Sequence, residues 1–557
     1  MIIHYKSALL YKAFIWALLI YTVNTFYIGI VHAQTEPTEI LEPQVVIEST
    51  HVGGVWSDPE TWVGGQVPTD TDDVVINGSV TVDGDYTIRN ISIDSASELI
   101  PNTITTRHIE VMGDIINDGR IANKVFATVH GSVFNNGVYE SNGLSLYGTN
   151  ESRELYGVSQ ITLSVYTNLT LNQNSFEVDT INFNNDAHTI QLVDTNGEII
   201  LHRVVGAFST NVPVRLVGDI DRYEDSFNAT VVAPLVTLTG THRFAWNIDY
   251  YIDELVIETG AHLDAFFPNT GYRNTPFMLH GSIYNYGSIH ERVVPTVLGS
   301  FYNEGIFMGT FGIGSGIGTQ SFTGVENNKA SITGDFELGS NLVVDYLAGN
   351  NHRITSEDGV RIQFREFNGG IFAPNADLVS TGSGYITVSN GDTITARALV
   401  INGNTSTYVE DFFTDWFVIN EGGLLYNNLS IWRPLRIHGN YLNNGEHRGR
   451  HHIRVYNNIL PGIGTFNTPT LGVAWLYEEG NSYDFSIADN QDTLNDIMSI
   501  SGDSFVRDSR DPLNPGKTVL QTVQDGDVRF WHSRLPDTEW GSTYSINFPI
   551  ELPVELK

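Results

Sequence analysis

The densest group of side chains that could perform chemistry is the stretch EHRGRHHIR, from Glu446 to Arg454. It places three histidines and three arginines in a chain that is otherwise strongly acidic. Imidazole nitrogens bind metal ions, and guanidinium groups bind carboxylates through two hydrogen bonds. His447 and His451 are therefore candidate metal ligands. Arg450 with His451 is a candidate catalytic pair that would act on an anionic sugar.

The same stretch also has a purely structural interpretation. If it forms a strand, alternate side chains point to opposite sides, and the histidines are separated. One side would carry His447, Gly449 and His451, and the other Arg448, Arg450 and His452. This separation favours arginines that pair with carboxylates of neighbouring strands over a compact metal site.

Carboxylates form two further groups that could support hydrolysis or bind a cation. The first contains Asp219, Asp221, Glu224 and Asp225, and the second contains Glu410, Asp411 and Asp415. Glycoside hydrolysis uses two carboxyl groups at a fixed separation, and calcium prefers oxygen ligands on loops. Calcium is therefore a possible ligand, although no EF-hand spacing is present. Acid clusters are also expected by composition alone, because the chain has 64 Asp and Glu residues.

Aromatic residues provide the chemistry best suited to sugar binding. The segment YVEDFFTDWF mixes aromatic and acidic residues, and Tyr408 and Trp416 are its candidate binding residues. Sugar rings stack on exposed aromatic faces. The alternative is that most of these rings pack in a hydrophobic core.

Composition excludes several classes of function. The chain has no cysteine, so it contains no thiolate metal site and no cysteine nucleophile. Its formal net charge of −35 would repel nucleic acid and anionic lipid, so we expect neither as a partner. The sequence also lacks a nucleophile elbow, a zinc-protease helix motif and a phosphate-binding loop. We identify no cofactor.

A repeated unit predicts the elements that position these residues. The pattern Gly, polar, apolar, any residue, Asn, any residue, Gly occurs five times, beginning at Gly113, Gly131, Gly281, Gly299 and Gly439. Within each of the first two pairs the units lie 18 residues apart. This interval is too short for a pair of helices but fits one turn of a parallel β-helix, in which asparagine side chains of stacked turns bond to one another.

We therefore predict an all-β protein built on a parallel β-helix, or solenoid, over residues 49–460. About 20 turns of roughly 20 residues would fill that span. In this interpretation the glycines and asparagines relieve backbone strain at the corners. The alternative is a series of antiparallel β-sandwiches in which Asn-Gly pairs form hairpin turns.

The two ends of the chain differ from the repeats. Residues 1–33 have a basic start, an apolar run and a Val-His-Ala cleavage pattern, which predicts a signal peptide and export. Residues 34–48 are rich in Pro and Glu and predict a spacer. No second apolar run is long enough to span a membrane. Residues 461–548 predict an irregular or β-sandwich C-terminal segment, and residues 549–557 predict a linker-like tail.

Two segments resemble parts of bacterial surface proteins. The stretch GGVWSDPETWVGGQVPTDTDDVVINGSV, from Gly53, resembles the opening of the eight-glycine domain and related β-helical modules. Its two tryptophans predict an N-terminal cap over the open end of the solenoid. The final ELPVELK resembles the linker before the type IX secretion sorting domain of Bacteroidetes, although the sorting domain itself is not in the sequence.

The resemblances imply a secreted or cell-surface protein of a Bacteroidetes bacterium, and they imply no particular reaction. Our leading hypothesis is a non-enzymatic adhesin, a rod that binds an extracellular glycan or a cell-surface partner. The alternative is a polysaccharide lyase or glycoside hydrolase on a β-helix scaffold, because one fold supports many activities.

Overall fold

The computed structural model describes residues 45–102, 105–141, 143–148, 152–220, 224–265, 274–316, 318–389, 392–428 and 435–449, together with short stretches at 453–455, 459–460, 465–466, 510–511 and 514–518. These residues form a parallel β-solenoid of about 17 turns. The single helix described is a 3₁₀ turn at Pro59–Thr61. The prediction of an all-β parallel β-helix is confirmed.

The first turns build three faces, and each complete turn contributes one strand to each face. The first face contains Val46–Glu48, Asp73–Ile76, Asn90–Ile93, Ile115–Asn117, Val133–Asn135 and Leu155–Tyr156. The second contains Gly54–Val55, Ser79–Val82, Glu98–Pro101, Arg120–Ile121 and Val138–Tyr139. The third contains Tyr86–Ile88, Arg107–Val111, Val125–Val129, Leu144–Leu146 and Thr162–Val165.

In the middle of the chain several strands bend around a corner and serve two or more faces. The strands here are Ser152–Arg153, Leu169–Leu171, Ser175–Leu192, Glu198–Thr210, Val214–Val217, Val231–Thr239, Thr241–Arg243, Asp249–Ile257, His262–Asp264 and Ser288–Ile289. The strand Ser175–Leu192 pairs along almost its whole length with Glu198–Thr210, with one irregularity in register between Asn182 and Ala187.

The later turns again have three faces. One contains Thr275–Leu279, Val293–Val297, Thr310–Ile313, Lys329–Ile332, Tyr346–Ala348, Glu366–Asn368, Ser383–Thr387, Asn404–Thr407, Leu424–Asn427, Glu446–Gly449 and Thr465–Phe466. The other two share Ser282–Asn285, Phe301–Asn303, Thr319–Gln320, Phe322–Thr323, Phe336–Leu338, Leu342–Val343, His352–Ser356, Arg361–Phe364, Ile371–Ser380, Ile394–Ile401, Asp411–Ile419, Leu435–Ile437, Asn440–Asn443, Ile453–Val455 and Ile459–Leu460.

The strand pairings rule out the sandwich alternative for the described residues. Every named pairing is parallel except that between Arg510–Asp511 and Asn514–Thr518. The turns are fewer than the expected 20, because many turns are longer than the 18-residue repeat. Ile371, for example, pairs with Ile394, and Phe412 pairs with Ile437.

The core is a column of inward-facing side chains stacked from turn to turn. Val74, Ile91, Ile115, Val133 and Leu155 lie in register on successive strands, and all are almost completely buried. Alternation within each strand places one apolar residue in this column and the next residue outside it. The apolar positions of the repeats therefore become one continuous core.

The predicted N-terminal cap is present and covers the first turn. Trp56 and Trp62 are buried, their ring centroids lie 5.0 Å apart in an edge-to-face arrangement, and the Trp62 indole N–H donates to the Trp56 carbonyl over 2.7 Å. The segment around Trp62 runs antiparallel to the first strand, where the Val63 N–H donates to the Glu48 carbonyl over 2.8 Å. This pairing occupies part of the backbone edge that a solenoid end would expose.

The repeated asparagines form short ladders, as predicted. Asn117 donates to the Oδ1 of Asn135 over 2.5 Å, and Asn285 donates to the Oδ1 of Asn303 over 2.6 Å. Each ladder ends in the same way, since Asn135 donates to the carbonyl of Gly157 and Asn303 to that of Gly324. Both pairs of repeats therefore satisfy their buried amides with the same hydrogen-bonding arrangement.

The reason proposed for the repeated glycines is wrong. None of the glycines that begin or end the five repeats has a positive φ angle, and neither do the ladder asparagines. The limit is space. A Cβ on Gly137 would lie 2.1 Å from the carbonyl oxygen of Gly119, and one on Gly305 would lie 2.2 Å from that of Gly287. Stacked turns meet backbone to backbone here, so only glycine fits.

Much of both ends of the chain lies outside the described residues. This applies to the predicted signal peptide, to the spacer as far as residue 44, and to residues 461–557 apart from the short strands already named. The first strand of the solenoid is Val46–Glu48, so its stack starts within the last residues of the expected spacer. Within the described part of the chain, no helix is long and apolar enough to cross a membrane.

The ladder makes a first prediction. Asn285→Ala removes a fully buried amide and leaves its partners short of a hydrogen bond, so we expect a loss of about 1–3 kcal/mol in the free energy of unfolding. Urea denaturation followed by circular dichroism measures this. Asn136→Ala is the control, because the Asn136 amide bonds Asp118 in an exposed position. Equal losses in the two variants would contradict the structural role of the ladder.

The glycine column makes a second prediction. Gly305→Ala forces a methyl group against a carbonyl of the neighbouring turn, and we expect it to destabilise the fold by about 1–3 kcal/mol. Gly84→Ala is the matched control, because its Cβ would meet only the side chain of Tyr86, at 3.2 Å. In thermal unfolding, the midpoint temperature of Gly305→Ala should be well below that of Gly84→Ala. The reverse ranking would show that the spacing of the turns adapts.

Candidate functional site

A row of outward-facing side chains crosses five successive turns near the C-terminal end of the described solenoid. Register places Arg353 beside Phe372, Phe372 beside Thr395, and Thr395 beside Phe413. His438 follows, with its ring stacked on Phe413. We call these five residues the aromatic row. Parallel stacking brings them together although they span 86 positions of sequence.

The two phenylalanines of the row are exposed and well oriented. Phe372 and Phe413 retain 38% and 39% of their accessible surface, which is high for large apolar side chains. The Cζ atom of Arg353 lies 4.7 Å from the centroid of Phe372, a cation–π contact. The rings of Phe413 and His438 are 4.2 Å apart and within 11° of parallel.

A network of charged residues borders the row on one side. Arg436 donates from Nε to Oδ1 of Asp411 over 2.6 Å and from Nη2 to Oδ2 over 2.5 Å, and it also reaches Glu410 at 3.4 Å. Nε2 of His438 lies 3.0 Å from Oδ1 of Asp411. The network therefore fixes the imidazole that stacks on Phe413.

The network also sets the charge of Asp411. Partial burial acts to raise the pKa of this carboxyl, but hydrogen bonds from Arg436 and His438 outweigh burial, and the net shift lowers the pKa. Asp411 is thus a carboxylate near neutral pH and accepts hydrogen bonds. Asp415, two positions beyond Phe413 on the same strand, behaves differently, because its partial burial raises its pKa.

The two binding candidates from the sequence, Tyr408 and Trp416, lie in different environments. Tyr408 is 48% exposed and its hydroxyl accepts a hydrogen bond from Asn428 over 3.2 Å. Trp416 is only 9% exposed and belongs to a hydrophobic cluster separate from the main core, so its ring is not presented to solvent. The other members of that cluster are Val379, Ala398, Val400, Val418 and Leu442.

His447, the candidate metal ligand, lies inside the solenoid. It is 1% exposed, its Nδ1 is 2.9 Å from the hydroxyl of Tyr441, and burial lowers its pKa to about 3. In the equivalent position of two other repeats the side chain is Ile121 or Ile289. His447 therefore replaces an apolar core residue and is neutral.

The rest of the Arg/His stretch is only partly described. Arg448 points outward and binds Glu446 of its own strand, with Nε to Oε1 at 2.6 Å and Nη2 to Oε2 at 2.8 Å. The expected pairing with a neighbouring strand is not among the contacts that we observe for Arg448. Arg450, His451 and His452 lie outside the described residues.

The other acidic cluster is bound into the fold. Glu224 accepts from Arg203 over 2.6 Å, and Asp219 accepts from the Thr241 backbone N–H over 2.7 Å. Burial raises the pKa of Asp225, while Asp221 lies outside the described residues. Across the described part of the chain, no three His, Asp or Glu side chains are grouped so that they could hold a metal ion.

Sequence reasoning identified one part of this site and missed the rest. The segment from Tyr408 to Phe417 is notable in the sequence for its mixture of aromatics and acids, and it contains Phe413 and Asp411. Phe372, Thr395 and His438 give no local signal, because each is an isolated residue in or directly after an ordinary strand. A constant number of residues per turn would have made their alignment visible in the sequence, but the intervals between successive members of the row are unequal.

Comparison with known proteins gives no relative. No family model, no curated protein and no solved structure matches the chain.

The buried histidine makes a prediction about pH. The unfolded chain binds a proton at His447 near pH 6.5, whereas the folded chain resists protonation until about pH 3. The contribution of neutral His447 to the free energy of unfolding is therefore fully present above pH 6.5. It is lost as the pH falls below 6.5, at up to about 1.4 kcal/mol per pH unit. His447→Ile should flatten the stability profile between pH 6.5 and 4.5.

The control for this prediction is His352→Gln, because His352 is at the surface beside Asp335. It should retain the slope of the parent chain. Urea unfolding at a series of pH values gives the comparison. A His447→Ile profile parallel to that of the parent chain would show that His447 titrates freely in the folded protein.

Proposed function

We propose that the protein is a secreted, cell-surface rod that binds extracellular glycans through the aromatic row and is not an enzyme. The observation that carries the proposal is the pair of exposed rings, Phe372 and Phe413, held in register by hydrogen-bonded parallel strands. Exposed large apolar side chains arranged in line mark interaction sites more often than isolated ones do. Their positions do not depend on loop motion.

The chemistry around the rings suits a carbohydrate. A sugar has apolar C–H faces and polar edges, so it needs an aromatic surface beside hydrogen-bonding groups. Phe413 supplies the first, and the carboxylate of Asp411 with the imidazole of His438 supplies the second. The formal net charge of −35 favours a neutral glycan, since a polyanionic one would be repelled.

Export remains part of the proposal. The basic and apolar start of the chain supports a secreted protein. Because the chain has no cysteine, its stability comes from sheet hydrogen bonds and packing and not from disulfides. The segments that resemble the eight-glycine domain and the type IX secretion linker support a Bacteroidetes cell surface.

Glycan cleavage is the alternative, and one observation favours it. Asp411 and Asp415 have pKa values shifted in opposite directions, as a base and an acid require. They are, however, four residues apart on one strand, or roughly 13 Å. Glycosidase carboxyl groups are about 5–9.5 Å apart, so the spacing argues for binding.

The test is the binding of polysaccharides by the full chain and by Phe413→Ala. We expect the parent protein to be retarded by at least one neutral polysaccharide in affinity electrophoresis. Loss of the ring should weaken binding about tenfold, equivalent to ~1.4 kcal/mol. Tyr302→Ala is the matched control, because Tyr302 stacks on Tyr284 in a similar ladder elsewhere on the solenoid.

Product analysis is run on the same samples. Retention without new reducing or unsaturated ends supports a binding protein. Release of products that stops in Asp411→Asn would replace the proposal with an enzyme. Equal binding by Phe413→Ala and the parent chain would show that the aromatic row is not the binding site.

A further inference from the structure

The aromatic row contains a gap at its centre. Thr395 lies between Phe372 and Phe413 in the register of the three strands, and it is the smallest side chain in the row. Adjacent turns of a parallel stack are about 4.8 Å apart, so the two phenylalanines are separated by roughly 9.6 Å. Thr395 forms the floor of the slot between them.

Both rings turn a face toward this slot. His438, on the next turn, stacks on Phe413 within 11° of parallel at 4.2 Å, so the plane of Phe413 lies across the rod axis. Arg353, on the preceding turn, lies over Phe372 at 4.7 Å, so that ring has a similar orientation. The outer face of each ring is thus covered by a neighbour, and the face above Thr395 is left for a ligand.

The width of the slot selects the kind of ring that fits. A ring that contacts aromatic faces on both sides, each at the short end of the usual 4.5–7 Å centroid range, needs a gap of roughly 9–10 Å. A planar aromatic ring in close stacking needs a narrower gap, so in this slot it would contact only one of the two phenylalanine rings. A chair-form sugar ring is thicker, because hydrogen atoms project from both of its faces.

We infer that this slot holds a single pyranose ring whose substituents are all equatorial, as in β-linked glucose or xylose units of a neutral polysaccharide. This inference rests on the proposed function and names the ligand class of the same site. In such a ring only C–H groups point at the two walls. An axial hydroxyl, as in mannose or galactose, would be pressed against a ring face and would lose its hydrogen bonds with water.

The groups beside the slot agree with a neutral sugar. The equatorial hydroxyls point outward around the rim of the ring, toward the side occupied by Asp411, which lies two positions from Phe413 on the same strand. Both oxygens of Asp411 already accept from Arg436, so that guanidinium is committed to a protein carboxylate. A uronic acid would bring a third carboxylate next to those of Asp411 and Glu410, at a cost in repulsion.

The experiment fills the slot without removing an aromatic ring. Thr395→Phe places a third ring between Phe372 and Phe413, continuing the stack and blocking entry of the sugar. Binding of hexaoses of β-1,4-linked glucose, xylose, mannose and galactose is measured by isothermal titration calorimetry. We expect the parent chain to bind the glucose or xylose hexaose at least tenfold more tightly than the other two, and Thr395→Phe to lose this binding.

Thr323→Phe is the matched control. Thr323 is exposed and in register with Tyr302, so the change extends an aromatic ladder by one ring at another position of the solenoid. It should bind within twofold of the parent chain. Far-ultraviolet circular dichroism of both variants shows whether the stack is intact.

The outcomes separate this inference from the proposed function. Tight binding that Thr395→Phe leaves unchanged, or equal affinity for mannose and galactose hexaoses, would overturn the slot and leave a glycan-binding rod. Failure of every hexaose and every polysaccharide to bind would overturn the proposed function itself. Preference for glucose or xylose that disappears only in Thr395→Phe supports the slot.

Discussion

The fixed spacing between hydrogen-bonded parallel strands is the constraint on which the rest of this structure depends. Each strand must lie about 4.8 Å from the strand it pairs with on the next turn, and each residue lies beside its partner on that turn. Columns of like residues follow directly. Apolar columns fill the interior. Asparagine columns form where side-chain amides can hydrogen-bond from turn to turn, glycine columns where the backbones of two turns meet, and aromatic columns where rings can stack.

The columns differ in how much variation they tolerate. A glycine column tolerates none, because the carbonyl of Gly287 occupies the place of a Cβ on Gly305. The core tolerates exchange between residues of different size and even polarity, as the buried pair of Tyr441 and His447 illustrates. Outward columns are the least restricted, so this is where a binding surface can arise without loss of the fold.

The aromatic row illustrates how such a surface is built. Stacking across turns orients rings and makes ladders of them, as with Tyr284 and Tyr302 or Tyr147 and Tyr166. A complete ladder covers its own faces and presents only ring edges. Thr395 interrupts one ladder, and the interruption leaves two faces available. The same spacing that holds the fold together therefore sets the width of the gap between Phe372 and Phe413.

The sequence by itself determined the class of fold, the N-terminal tryptophan cap and the asparagine ladders, because these depend on local alternation and on an 18-residue period. It indicated part of the site, in the segment that contains Asp411 and Phe413. Only the tertiary structure decided that Phe372 and His438 join them, that Trp416 is covered and that His447 faces inward. Turns of unequal length hide these neighbours from the sequence, since register is fixed by backbone pairing and not by residue spacing.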